Sequence, residues 1–190
     1  ADWPWDSSPD QFTSAQRIAK KRGITREMVD QLAYNSQLRA KQAWAEGRFD
    51  REVFSVEAPI MGEDGKPTGT FHTVSRDEGL RETTLEKLQS LKAVAREDGV
   101  HTAGSSSQIS DGAAALVLMT REKADELGLK ARARVVDTCL VGVDPVLMLT
   151  GPIDATQRLL ERTGLSASDI DVAEINEAFA SVVLAWAREL

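Results

Sequence analysis

The sequence predicts a layered α/β fold, in which helices cover the faces of a mixed or parallel sheet. From residue 121 onward, helical and strand patterns alternate in the order helix, strand, helix, strand, helix, which is typical of such folds. Residues 113–119 are apolar at every position, whereas a strand with one exposed face would alternate. We therefore expect a buried strand there, with further buried strands in residues 131–143 and 172–175.

Composition limits the classes of partner. The 190 residues carry 23 lysines and arginines against 30 aspartates and glutamates, and the net charge of −7 argues against nucleic acid as the main partner. The single cysteine, Cys139, rules out an internal disulfide and fits a reducing, cytoplasmic compartment. No apolar run approaches the ~18 residues of a membrane span, so we expect no membrane contact. Nothing indicates a metal site, and we expect Cys139 to be a small buried hydrophobe rather than a nucleophile.

Two helices are predicted near the start of the chain. Residues 1–10 contain two tryptophans and two prolines and should form an irregular loop. A helix then begins at Gln11, and its apolar stripe stops at Gly23. A second helix begins after Thr25, whose hydroxyl is a favourable N-cap, and runs to Gly47. Because this helix is long and amphipathic, it requires a packing partner.

The following stretch changes to strand character. Residues 53–60 and 70–74 are predicted to pair as a hairpin across a glycine-rich loop. A charged turn comes next at residues 76–81, and Thr83 or Thr84 then caps a short helix. Most charge clusters of this kind are simply solvated. The arginines of this turn, Arg76 and Arg81, are nevertheless suited to binding phosphate at the mouth of a nucleotide site, because a guanidinium group donates to phosphate oxygens in pairs.

Two stretches carry candidate binding residues. Residues 102–107 are small, which lets the backbone approach a ligand closely, although glycine and serine runs are most often only loops. Farther along, a helix opened by Pro152 leads to residues 169–180, where a strand pattern changes to a helical one at Asn176. Asn176 is either the N-cap of the new helix, which local physics favours, or an amide that faces a ligand at the carboxyl end of a strand.

Taken together, the motifs of the chain closely resemble those of the thiolase family. They occur in the family's order over nearly the whole chain: Glu46-Gly47-Arg48-Phe49-Asp50, Asp77-Glu78-Gly79-Leu80-Arg81, Thr83-Thr84-Leu85, Thr102-Ala103-Gly104 through Ser107, Ser110-Asp111-Gly112-Ala113-Ala114-Ala115, Gly151-Pro152 and Asn176-Glu177-Ala178-Phe179. Several motifs in one order are far more specific than any one of them.

The resemblance implies a fold. In thiolases each subunit has two layered α/β halves of βαβαβαββ type, and a loop domain inserted in the first half covers coenzyme A. By this resemblance, residues 1–107 are most of the loop domain and residues 108–120 are the closing strand of the first half. Residues 121–190 are then the first part of the second half. The thiolase-like fold is therefore expected to be incomplete in this chain.

The resemblance also implies a reaction, the thiolytic cleavage of a 3-ketoacyl-CoA or its reversal as a Claisen condensation. Coenzyme A would be a substrate, with no covalently bound cofactor, and the whole protein would be a homodimer or homotetramer. Asn176 matches the asparagine whose amide holds the water of an oxyanion hole. The other matched positions contact acyl-CoA: Arg81 near the nucleotide end, Ala103 and Ser107 at the pantetheine arm with Gly104 between them, and Ala178 and Phe179 at the reactive end.

Some features of the family are missing or changed. The nucleophilic cysteine of thiolases would precede Ala1, and the Gly-His-Pro histidine and second cysteine would follow Leu190, so the 190 residues alone are expected to be inactive. Gln11 and Phe12 stand where many thiolases carry Met-Gly. This departure is similar to that of actinobacterial thiolases that act on steroid side-chain CoA thioesters in lipid catabolism.

Two other functions are alternatives to a thiolase. A ketoacyl synthase shares the doubled fold, but it uses a His-Gly-Thr type motif where this chain has Asn-Glu-Ala-Phe. The alternative is a non-catalytic, thiolase-like subunit that binds acyl-CoA or a partner. The presence or absence of the catalytic cysteines and histidine in the whole protein distinguishes this subunit from an enzyme.

Overall fold

A computed structural model of the chain describes residues 10–94, 96–110 and 112–190. The predicted loop over residues 1–10, apart from Asp10, lies outside the described residues, as does Asp111. The elements in chain order are α1 (Gln11–Lys21), α2 (Arg26–Ala45), β1 (Val56–Met61), β2 (Pro67–Val74), α3 (Leu85–Gln89), α4 (Arg121–Glu126), α5 (Gly151–Thr163), a short 3-10 turn (Ala167–Asp169) and α6 (Ala180–Glu189).

The chain divides into two compact units. The main unit combines the residues up to Val29 with Leu91–Leu190, and the hairpin unit comprises Asp30–Ser90. Within the described residues, no helix is both long enough and apolar enough to cross a membrane.

The helix starts follow from their capping residues. Thr13 N donates to Asp10 Oδ2 at 2.8 Å at the start of α1, and Met28 N donates to Thr25 Oγ1 at 3.3 Å at the start of α2. At α3 the cap is Thr84, whose Oγ1 accepts from Lys87 N at 3.3 Å. These contacts satisfy amide groups that the first turn of a helix leaves unpaired. The predicted starts of all three helices are confirmed.

The core of the main unit lies between α1 and α6. α1 buries Ala15, Ile18 and Ala19, which recur at the i, i+3, i+4 spacing of an amphipathic helix. α6 buries Val182 and Ala185. Ile18 is only 1% exposed, and burial of such a side chain contributes about 1.5–3 kcal/mol.

The hairpin unit contains the only paired strands of the described residues. β1 and β2 are antiparallel, with Val56 opposite Val74 and an irregularity in register between Pro59 and Met61. The predicted hairpin is confirmed, although β1 begins at Val56 and not at residue 53. The reason is a turn just before it, in which Val53 N donates to the Phe49 carbonyl at 2.9 Å.

The three buried strands predicted in the main unit are not formed. Residues 113–119, 131–143 and 172–175 contain no strand, and their side chains are largely exposed, as Leu116 (87%) and Leu140 (93%) show. A strand needs a neighbouring strand to pair its amides and carbonyls, and within the described residues none pairs with these segments. Their apolar sequences therefore stand uncovered in this chain.

The start of α6 is a second correction. The helix begins at Ala180 and its N-cap is Phe179, so the prediction that Asn176 caps this helix is wrong. Phe179 is held in an extended conformation (φ −143°, ψ 142°) by an antiparallel bridge to Ser106. Because a residue in this extended pairing cannot also be helical, the helix begins only at Ala180.

Candidate functional site

The loop of residues 102–107 pairs with the segment that leads into α6. Ser107 N donates to the Ala178 carbonyl at 2.9 Å, and Ala180 N donates to the Ser105 carbonyl at 3.0 Å. These two bonds flank the bridge between Ser106 and Phe179. The structure thus brings together two stretches that are more than 70 residues apart and that the sequence singled out separately.

The 102–107 loop is shaped by its own hydroxyl groups. Thr102 N donates to Ser105 Oγ at 2.9 Å, and Gly104 N donates to Thr102 Oγ1 at 3.2 Å. Thr102 and Ser105 are buried, so their hydroxyls serve the loop and do not face a ligand. Ala103, Gly104 and Ser107 are exposed along the same loop. A small, exposed turn of this kind offers close approach to its backbone.

Phe179 lies at the centre of a small aromatic cluster. Its ring centroid is 5.2 Å from that of Phe12 and 5.4 Å from that of His101, with interplanar angles of 74° and 62°. These are edge-to-face contacts, the arrangement that aromatic quadrupoles favour. Phe179 is only 4% exposed and belongs to a core with Ala15 and Val182. In this chain it is a core residue, whereas Ala178 beside it is partly exposed.

Asn176 precedes this paired segment. Asn176 is exposed, and its side-chain amide has no hydrogen-bond partner among the described residues. The amide therefore retains two donors and one acceptor for another group.

The hairpin unit holds the other candidate, Arg81, at a shallow cavity of about 200 Å³ between α2 and the segment before α3. Arg81 N donates to Gln37 Oε1 at 2.8 Å, and its guanidinium turns back to the carbonyls of Glu78 and Leu80. Lys41 and Lys87 also line the cavity. Three cations around one cavity suit an anionic group.

A carboxylate partly balances the charge of this cavity. Lys41 Nζ lies 2.8 Å from Glu82 Oε1, and this hydrogen bond lowers the pKa of the Glu82 carboxyl. Both side chains are well exposed, so the pair adds little stability. With one carboxylate facing three cations, the cavity keeps its positive character.

His101 is not one of the site residues predicted from the sequence. It is 2% exposed, and its Nε2 lies 2.9 Å from Ser181 Oγ. Burial lowers the pKa of His101, and the Ala15 carbonyl acts weakly in the opposite direction. No signal in the sequence points to its burial, because a histidine before a run of small polar residues is equally compatible with a solvated loop.

Two further predictions concern metals and the cysteine. Among the residues that the structure describes, no group of histidine, cysteine or carboxylate side chains is arranged to hold a metal ion. Cys139 is half-buried and not fully buried as expected, because the segment around it is not covered by a sheet. Its Sγ–H donates to the Ala155 carbonyl at 3.5 Å.

Two protein-family models match successive parts of the sequence. Residues 8–122 match the thiolase N-terminal domain, and residues 129–190 match the thiolase C-terminal domain. Among curated proteins, the chain is 43% identical over 192 aligned residues to a 3-ketoacyl-CoA thiolase of Bacillus subtilis, covering 97% of this chain and 49% of that protein. It is 44% identical to the 3-oxoadipyl-CoA/3-oxo-5,6-dehydrosuberyl-CoA thiolase of Escherichia coli, covering 97% of this chain and 44% of that protein. The chain spans about half the length of the curated relatives it matches.

The solved structures that resemble the chain are also thiolases or acetyl-CoA acetyltransferases. A Bacillus anthracis acetyl-CoA acetyltransferase superposes with a TM-score of 0.84 at 39% identity, over 94% of this chain and 44% of that one. Human mitochondrial 3-ketoacyl-CoA thiolase superposes with a TM-score of 0.83 at 36% identity, over 94% of this chain and 43% of that one. The predicted fold class, an incomplete α/β fold of thiolase type, is confirmed. The domain boundaries expected after residues 107 and 120 stay predictions.

Proposed function

The chain belongs to the thiolase family, and from that premise we propose that the whole protein transfers acyl groups to coenzyme A by thiolytic cleavage of a 3-ketoacyl-CoA, or runs the reverse Claisen condensation. The observation that carries the proposal is the match of both thiolase domain models, in order, over residues 8–122 and 129–190. Coenzyme A is then a substrate, and the reaction requires no bound cofactor.

Thiolysis needs a nucleophilic thiolate and a way to stabilise a developing oxyanion. We assign no nucleophilic role to Cys139, because the residue is half-buried and its thiol donates to the Ala155 carbonyl. The nucleophile and the general base of the proposed reaction are therefore assigned to parts of the whole protein outside these residues. Asn176 is the group in this chain proposed to act at the oxyanion, through a water held by its amide. Its exposure and its unused donors support that role.

The acyl-CoA is proposed to lie along the 102–107 loop. Ala103, Gly104 and Ser107 would face the pantetheine arm, and their exposure and small size support this placement. Ala178 and Phe179 would border the reactive end. The hydrogen bond from Ser107 N to the Ala178 carbonyl supports the proposal, because it sets a pantetheine residue directly beside a residue of the reactive end.

Arg81 is proposed to meet the nucleotide end of coenzyme A. The supporting observation is its position beside Lys41 and Lys87 at one shallow cavity. Phosphate groups are bound through charge-assisted hydrogen bonds from such cations.

The finer substrate proposal is a bulky acyl group such as a steroid side-chain CoA thioester. Phe12, which replaces the smaller residue of many thiolases, contacts Phe179 edge to face at 5.2 Å. Phe12 therefore packs against a residue that is proposed to border the reactive end. We further propose that the whole protein is a cytoplasmic homodimer or homotetramer.

The test is an assay of the whole protein for CoA-dependent cleavage of acetoacetyl-CoA and of a bulky 3-ketoacyl-CoA. We expect turnover with both and higher kcat/KM with the bulky substrate. Asn176→Ala should lower kcat about 10²–10³-fold, as loss of one oxyanion donor does. Asn35→Ala is the matched control, because the side chain of Asn35 accepts a hydrogen bond from Gln31 one turn away on α2 and belongs to no part of the proposed site.

Two outcomes would contradict the proposals separately. A whole protein that cleaves no 3-ketoacyl-CoA is not a thiolase in activity, even though its fold is one. A clear preference for acetoacetyl-CoA would leave the thiolase activity in place and remove the bulky substrate.

A further inference from the structure

A chain of buried hydrogen bonds crosses the main unit next to the 102–107 loop. His101 Nε2 lies 2.9 Å from Ser181 Oγ, and Ser181 Oγ donates to the Ala15 carbonyl at 3.2 Å. His101 is 2% exposed and Ser181 is fully buried, at 0%. Neither residue belongs to the motifs that define the proposed site.

The direction of donation follows from the number of hydrogens. Ser181 has one hydroxyl hydrogen, and it is given to the Ala15 carbonyl. With that hydrogen on the Ala15 carbonyl, Nε2 of the neutral imidazole carries the ring proton and donates to Ser181 Oγ. Nδ1 is then a bare acceptor, which is consistent with its having no hydrogen-bond partner in the described residues. A second proton on Nδ1 would be a buried donor without an acceptor, so the neutral ring is favoured.

The three linked residues belong to three different segments. Ala15 lies on α1, His101 lies at the entry to the 102–107 loop, and Ser181 lies in the first turn of α6. Ser181 is two positions beyond Phe179, whose ring also meets the edge of the His101 ring at 5.4 Å. One imidazole therefore fixes both the loop and the residue with which that loop pairs.

We propose that His101 is a positioning residue, which as a hydrogen-bond donor to Ser181 holds Phe179 and the first turn of α6 against the 102–107 loop. This inference rests on the proposed function, because that loop and Phe179 are the proposed walls of the acyl-CoA site. The chemistry it serves is the placement of the thioester and not proton transfer, since the donor is buried and its proton is committed to Ser181. A leucine could fill the same space but could not donate.

The experiment compares two replacements of similar size in the whole protein. His101→Gln keeps an N–H donor near the position of Nε2, and His101→Leu does not. We expect His101→Leu to lower kcat about tenfold with little change in KM for coenzyme A, because small misplacement of reacting groups is costly. His101→Gln should restore most of the loss. His72→Gln, at the exposed histidine of β2, is the control and should have no effect.

Ser181→Ala gives a second test that does not depend on how the His101 variants fold. It removes one oxygen, and with it the bonds to His101 and to the Ala15 carbonyl, and should reproduce the loss seen with His101→Leu. The double variant should be no worse than Ser181→Ala alone, because that variant already lacks the bond that His101→Leu removes. Full turnover in Ser181→Ala, or an equal loss in His101→Leu and His101→Gln, would overturn the proposal. A wild-type protein without thiolase turnover would instead refute the proposed function, so the two failures are distinguishable.

Discussion

The aromatic cluster around Phe179 allows a quantitative prediction. Phe179→Leu keeps most of the buried apolar surface but removes the ring, and with it the edge contacts to Phe12 and His101. Each such contact is worth about 0.5–1.5 kcal/mol beyond burial, so the variant should lose about 1–3 kcal/mol. Phe12→Leu removes one contact at a residue that is 43% exposed, and its cost should be about 0.5–1.5 kcal/mol.

The measurement is native-state hydrogen exchange of α6 amides in the whole protein, which reports the free energy of opening this helix locally. Because the two variants share one ring pair, the double variant Phe12→Leu/Phe179→Leu should cost less than the sum of the single variants by about 0.5–1.5 kcal/mol. Additive costs would refute the reasoning, since they would mean that the two rings do not interact. A loss at α6 for Phe12→Leu as large as that for Phe179→Leu would also contradict it.

Three further predictions concern capping, pH and charge. Asp10→Ala should weaken exchange protection at the start of α1 by about 1 kcal/mol, while Asp10→Asn retains the cap; equal losses would show that the cap bond contributes nothing. The pKa of Asp10 is lowered by its hydrogen bonds from Thr13, and burial lowers the pKa of His101. Both groups bind protons more weakly in the folded state, so the protein is most stable above their unfolded pKa values. Its stability should fall as the pH drops below about 6.5, first because His101 becomes protonated and then because Asp10 does. In hydrogen exchange measured against pH, His101→Gln should abolish the first of these two losses. Arg81→Ala should raise KM for acyl-CoA about tenfold without changing kcat, whereas Arg48→Ala, at a surface pair with Glu46, should not, and an unchanged KM would remove Arg81 from the binding site.

Local signals were sufficient wherever a segment is stabilised by its own residues. The caps at Thr25 and Thr84 satisfy amides within one turn, so the residues that define each helix start are adjacent in sequence. The hairpin is a similar case, because β1 and β2 pair across a short loop. The positions of these elements could therefore be predicted from the sequence to within a few residues.

The sequence was misleading where structure depends on distant partners. The apolar runs around Leu116, Leu140 and Val172 have the composition of buried strands, yet Val172 is 85% exposed and Leu140 is 93% exposed. Apolar composition indicates that a segment is suited to burial, but a strand also needs a neighbour to pair with its backbone. The 190 residues cover 43–44% of the solved structures they match, and within the described residues no such neighbour is present. Expressed alone, the 190 residues should aggregate and show no turnover, which light scattering and the same cleavage assay would check.

Asn176 cannot be both a helix cap and a ligand-facing amide. The reason lies in the segment that follows it, which pairs with the 102–107 loop. A helix that began at Asn176 would use the amide of Ala180 within its first turns, but that amide is donated to the Ser105 carbonyl. The bridge between Ser106 and Phe179 thus prevents a helix from starting at Asn176. Without the first turn of a helix behind it, the side-chain oxygen of Asn176 has no first-turn N–H groups from which to accept a hydrogen bond. The same pairing that builds the proposed wall of the acyl-CoA site therefore also frees the side chain proposed to act there. We expect a variant that weakens the pairing, such as Ser181→Ala, to reduce both acyl-CoA binding and the contribution of Asn176 to kcat.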